Sequence, residues 1–156
     1  MKAQLIDAER EKTFAVIFDK GDEVTAGLLE FAKQDHLVGS HFTAIGAFSD
    51  ATLGYFDRDR KDYLKIRVDE QVEVLSMVGD IALNNGEPKV HAHIVVGMRD
   101  GTTRGGHLLE AHVWPTLEVI VVEAPRHLQR KTDPETGLAL IDLEASPRGS
   151  GNTKQG

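Results

Sequence analysis

Residues 72–123, VEVLSMVGDIALNNGEPKVHAHIVVGMRDGTTRGGHLLEAHVWPTLEVIVVE, decide the fold. Val72 to Leu83 reads as a long strand, bent at Gly79. Asn84-Asn85-Gly86 is a hairpin signal, because Asn and Gly accept positive φ at little cost. Pro88 to Arg99 is the returning strand, and Asp100-Gly101 is the next turn. Gly106 to Val113 and Thr116 to Glu123 complete the run. Consecutive strands joined by short turns pair antiparallel.

The same period extends toward the N-terminus. Phe42, Ala44, Gly46 and Phe48 alternate with Thr43, Ile45 and Ala47. Thr52 to Phe56 and Tyr63 to Val68 are two more strands, joined by a polar turn over Asp57–Asp62. Thr13 to Phe18 reads as a buried strand. Between it and the sheet lies the one convincing helix, residues 22–37. Asp22 is its expected N-cap, Glu23 meets the dipole, and Gly39 is the expected stop. Val24, Leu28, Phe31 and Ala32 share one face. One helix on a strongly bent, mostly antiparallel sheet makes an α+β domain. Leu138–Ile141 adds a final edge strand. Residues 1–145 read as one domain and 146–156 as a disordered tail, Gly- and Ser-rich without an apolar pattern.

Seven histidines occur. His91 and His93 are i and i+2 on a strand, so they share a face. The turn at Asp100-Gly101 brings His107 back near the level of His93. Gly105 and Gly106 before it allow a bulge or a close backbone approach. Three neutral imidazoles on one face form the ligand set of catalytic zinc with one position open, although two strand histidines bonded to backbone would look the same in sequence. His112 has the opposite parity and faces away. His36 sits at the helix C-terminus as a surface or dipole-compensating residue. His41 and His127 read as structural.

Two further residues are candidates for catalysis. Glu118 interrupts an apolar strand, where a carboxylate needs a partner. It suits a general base, a group orienting a ligand histidine, or an ion pair across an interface, and equally an ordinary outward residue. Arg104, beside Gly105-Gly106-His107, suits an anion or simply a solvated loop.

Composition narrows the function classes. The chain has 156 residues, 40% hydrophobic and 28% charged, as in a soluble globular domain. It has no cysteine, so thiol nucleophiles and Cys-type zinc sites are excluded. The first residues lack the apolar core of a signal peptide and no long apolar run occurs, so the cytoplasm is the expected address and no membrane partner is expected. Residues 1–123 carry 13 Lys/Arg against 21 Asp/Glu. An acidic body repels a polyanion, and Arg58-Asp59-Arg60-Lys61 is flanked by acids, so direct duplex binding is disfavoured.

The chain resembles the PPC domain, the plant-and-prokaryote conserved domain, from about Thr13 to Val122. The residues that carry the likeness are Gly21-Asp22-Glu23, Ala44 to Phe48, Ala51 to Asp57 and Glu73 to Ile81. Most specific are Val90-His91-Ala92-His93, Gly105-Gly106-His107-Leu108 and Leu117-Glu118-Val119. The resemblance implies a single helix on a curved sheet, a homotrimer, and a zinc ion held by His91, His93 and His107. Glu118 matches the family's acidic position. Ala111 departs from it, where glycine is frequent, and bears on the backbone path after His107. The family is often called DNA-binding, but in plants that label belongs to a separate AT-hook, and Pro147-Arg148-Gly149-Ser150 is not one. The architecture is also similar to acetolactate decarboxylase, a metalloenzyme with a comparable His-x-His plus His site.

Three functions compete. The first is a trimeric module for assembly or regulation that binds zinc or another divalent transition metal, with a small-molecule ligand or a protein partner. The second is a zinc-dependent lyase or hydrolase acting on a small anionic metabolite, assisted by Glu118 or Arg104. The third is DNA binding or transcriptional regulation through a partner. A solvent-filled pocket around the histidines favours the second, a flat partner surface the first, and salt-sensitive duplex affinity the third.

Overall fold

Burial follows the strand period over residues 12–18 and over Phe42–Ile45, but not at Ala47-Phe48, where both residues are buried. Phe14, Val16 and Phe18 are buried and the residues between them only half-buried, which a two-residue repeat requires. The computed structural model describes residues 1–7, 11–124 and 128–145. Its elements are β1 (Lys2–Asp7), β2 (Lys12–Phe18), α1 (Val24–Gln34), β3 (Gly39–Asp57), β4 (Asp62–Val68), β5 (Val72–Asn84), β6 (Glu87–Gly97), β7 (Thr103–Glu123), β8 (Gln129–Thr132) and β9 (Ala139–Ile141). The α+β class with one helix on a curved sheet is what the structure has. The tail expected from Ser146 onward lies outside the described residues, as does His127.

β3, β5, β6 and β7 pair in a circuit that returns to β3. β2 and β1 continue the sheet from β7, β4 flanks β3, and β8 joins β5 in parallel before pairing with β9. The helix buries Val24, Leu28, Phe31 and Ala32, facing β6 and β7. Phe31 meets Phe14 edge to face with centroids 5.2 Å apart, a favoured aromatic geometry.

Several boundaries differ from the sequence reading. The N-cap is Glu23, not Asp22: its carboxylate accepts from Thr25 N at 3.0 Å and Ala26 N at 2.5 Å. Asp22 is occupied by the preceding turn, accepting from Asp19 N and from the Met1 amino group, both at 3.0 Å. The helix ends at Gln34, before Gly39. Leu37 N donates to Ala32 O at 2.9 Å and His36 N to Lys33 O at 3.4 Å. His36 supplies the positive φ, 55°, that such a reversal needs.

The segments read as separate strands at 40–48 and 52–56 are one strand, β3. Those read at 106–113 and 116–123 are likewise one strand, β7. Each changes partner partway: β3 pairs with β5 up to Phe48 and with β4 from Ala51. On β7, the ladder with β3 jumps from Val113 to Leu117. Pro115, which has no N–H, sits inside that jump where no ladder bond is required. β1 and β8 were not anticipated. Ala111 is buried and paired with Ala51, and its N–H donates to Glu23 Oε1 at 3.3 Å, so alanine keeps the strand path after His107.

Gly46 marks the tightest crossing of β3 and β7. Its φ is +154°, and a Cβ there would lie 2.3 Å from Thr116 O and 2.8 Å from Leu117 Cα. Gly46→Ala is expected to cost about 2–4 kcal/mol, since both strain and backbone overlap oppose it. Thermal unfolding should drop by roughly 5–15 °C. An unchanged Tm would mean that the two strands can separate there freely.

Candidate metal centre

The β5–β6 and β6–β7 hairpins build the centre. β6 exposes alternate residues, so His91 and His93 project from one face while Ala92 and Ile94 are buried on the other. Across the second hairpin His107 stands directly opposite His93. Two glycines make the approach possible. A Cβ on Gly106 would lie 2.8 Å from Gly54 O, and one on Gly79 would lie 2.4 Å from His91 O.

The three imidazoles converge. Ring centroids are 5.1 Å apart for His91–His93 and His91–His107, and 5.5 Å for His93–His107. One ligand nitrogen from each lies within 4.8 Å of the others. His91 Nε2 and His93 Nε2 are 3.2 Å apart. Two imidazole nitrogens on one tetrahedral zinc stand about 3.3 Å apart, given Zn–N bonds of about 2.0–2.1 Å. His107 Nδ1 is buried and has no hydrogen-bond partner among the described residues. Donor type, spacing and the orphaned nitrogen all fit a divalent transition metal.

Burial and neighbouring charge disfavour protonation of His93 and His107. Burial, followed by the charges of His91, His93 and Lys89, lowers the His107 pKa to about 4. Burial and then His91 lower that of His93. Neutral imidazole is the ligand form, so the lowered values of His93 and His107 favour metal binding at neutral pH. Tyr63 stacks on His107 with centroids 4.6 Å apart, and its hydroxyl pKa is raised by burial. A Cβ on Gly54 would lie 2.7 Å from Tyr63 Cδ1, so this glycine makes room for the stacked ring.

Asp80 lies opposite His91 on β5, its Oδ2 3.8 Å from His91 Nδ1. Burial pushes its carboxyl up, but His91 and the Arg130 guanidinium more than offset this and hold it below the usual value. Sequence reasoning passed over Asp80, Tyr63 and Arg130. Asp80 could have been found by counting back around Asn85-Gly86, the centre of its hairpin. Tyr63 and Arg130 reach the area through pairings that no local turn encodes.

The two catalytic candidates stand apart from the histidines within one chain. Glu118 is exposed on β7, opposite Ile17 and Ile45. From His93 the cross-strand row runs through Val78 and Thr43 to Ile120, three spacings or roughly 14 Å, before the offset along β7 to Glu118. Arg104 is exposed and donates to Arg67 O at 3.2 Å.

His112, expected to face away, is held by Asp50 at 2.8 Å. Asp50 raises its pKa, and His112 in turn lowers that of Asp50. The aspartate's contribution to stability is complete above its unfolded pKa of 3.8 and is lost as pH falls through the lowered value. The histidine's is complete below 6.5 and is lost as pH rises through the raised value. An NMR titration should therefore place His112 above 6.5 in the wild type. In Asp50→Asn the midpoint should move down, and an unmoved midpoint would discount the pair.

Residues 6–125 match the profile of the Plants and Prokaryotes Conserved (PCC) domain. The chain belongs to this family. Proteins of known structure superpose over 83–90% of this chain. A metal-containing protein from Archaeoglobus fulgidus is 32% identical, with a TM-score of 0.79 over 89% of this chain and 99% of its own. A PPC protein from Pyrococcus horikoshii is 29% identical, with a TM-score of 0.79 over 90% and 94%. A candidate DNA-binding protein from Ralstonia eutropha is 33% identical, with a TM-score of 0.78 over 83% and 90%. The bifunctional protein GlmU of a Synechococcus strain is 31% identical over 127 residues, but the chain spans only 19% of that relative's length. Among the described residues no helix is long and apolar enough to cross a membrane.

Proposed function

We propose that this PPC protein is a homotrimeric metal-binding module in which His91, His93 and His107 hold one zinc ion per chain. The convergence of three imidazoles around a common point carries the reading. His91 and His93 would face the ion through Nε2, and His107 would complete the set. Zinc with three protein ligands keeps a position for a ligand, where it can polarise a carbonyl or acidify a water. Among the described residues no fourth His, Asp or Glu joins the cluster, which supports an open position. That openness also supports the second reading, a zinc-dependent lyase or hydrolase for a small anionic metabolite. The placement of Glu118 and Arg104 away from the histidines weighs against it within one chain.

The trimer draws support from an exposed apolar face. Ile45, Leu75, Val78 and Ile120 are 42–60% exposed and line one shallow groove with Glu118. Val78 pairs directly with His93, so this face runs up to the metal centre. A carboxylate buried between copies needs a cation, and we assign Glu118 that interface role rather than a catalytic one. Direct DNA binding is left out of this reading because the body is acidic. Cytoplasmic residence remains part of it, as does a small-molecule or protein partner at the open position.

Elemental analysis by mass spectrometry tests the metal. Tag-free protein should carry about one zinc per chain and recover it after chelation. Protein that stays empty after zinc soaking overturns the reading.

A further inference from the structure

Arg130 is a cation buried where a short strand pair alone would not need one. It lies on β8, beyond the residues matched by the family profile. Its side chain is only 4% exposed. β8 lies parallel to β5, with Asn84 opposite Arg130, and Leu128 anchors the approach through Leu83 N to Leu128 O at 2.8 Å and Leu128 N to Val38 O at 2.9 Å. The guanidinium donates through Nη1 to Ala139 O at 2.7 Å and through Nη2 to Asp80 Oδ1. The other oxygen of Asp80 faces His91 Nδ1. Burying a guanidinium costs several kcal/mol unless its partners are well placed. Here those partners lead to a ligand histidine.

We propose that Asp80 and Arg130 are positioning residues for the metal centre, and that the β8–β9 segment acts on the centre through them. Arg130 occupies one oxygen of Asp80 and turns the other toward His91. That oxygen stands 3.8 Å from Nδ1, where its negative charge favours a proton on Nδ1 and so the tautomer whose Nε2 lone pair faces His93. Outer partners of this kind set ring orientation and ligand basicity. The affinity arm of this inference rests on the metal reading above. The tautomer arm stands in metal-free protein.

Asp80→Asn is the sharpest variant. The new amide can still accept from Arg130, but it presents an N–H to His91 Nδ1 and drives the ring proton to Nε2. Nitrogen-15 shifts of the metal-free wild type should show His91 protonated at Nδ1. Asp80→Asn should move the proton to Nε2, and Arg130→Met should give a mixture. Zinc affinity, measured by chelator competition, should fall about 10–100-fold in both variants, and Arg130→Lys should restore much of it. A His91 tautomer identical in wild type, Asp80→Asn and Arg130→Met overturns the inference, whatever the metal content. A tautomer that shifts in the variants while the wild type takes up no zinc upholds the positioning and overturns only the metal reading. Asp80 is partly exposed, so its variant answers the question even if Arg130→Met fails to fold.

Discussion

His93→Ala should empty the metal centre. His93 is exposed, so its truncation removes a ligand without opening a core cavity, and circular dichroism should match the wild type. Loss of outer partners alone costs 10–100-fold in metal affinity, and loss of a ligand should exceed about 100-fold. Metal content should fall from about one ion per chain to a trace. Thermal stability should report the same change. A ligand at 100 times its Kd adds about 2.7 kcal/mol to the folded state, so zinc should raise the Tm of the wild type and leave the variant unmoved. A variant that keeps its metal would mean that the ion is held elsewhere.

Ile120→Asp should break the trimer. Ile120 lies 42% exposed in the middle of the apolar groove, so the single chain tolerates a polar group there. Between copies the same carboxylate would lose its water at a penalty of several kcal/mol. It would also stand beside Glu118, adding like-charge repulsion. Sedimentation should give three times 17.1 kDa for the wild type and one such mass for the variant. A wild type that sediments at the single-chain mass would remove the trimer, and with it the interface role assigned to Glu118.

The histidine cluster was legible because it is local. His91 and His93 need only the strand period, and His107 needs only one hairpin counted about Asp100-Gly101. The register places His107 opposite His93 as that count implies. The apolar face was not legible. Ile45, Leu75 and Ile120 lie on three different strands, each next to buried neighbours, and only the sheet brings them together. Breaks at Ser49-Asp50 and Trp114-Pro115 resemble strand ends in sequence. They are places where one long strand changes partners, and a change of partner has no local signature. Asp22 lost the N-cap to Glu23 because the turn before the helix had already engaged its carboxylate. That competition depends on where the chain arrives from.

The pairing circuit bears on how the protein is made. β2 leaves the ribosome long before one of its two partners, the second half of β7, with Ile17 set against Glu118. The ring of strands likewise cannot close before β7 emerges. Early strands must wait with open edges until the late one arrives, so assembly is delayed and cooperative, as expected of non-local pairings. His107 is carried on that same late strand. On the proposed metal reading, the nascent chain therefore has no complete ligand set until its sheet is ready to close, and ion capture would come late in maturation.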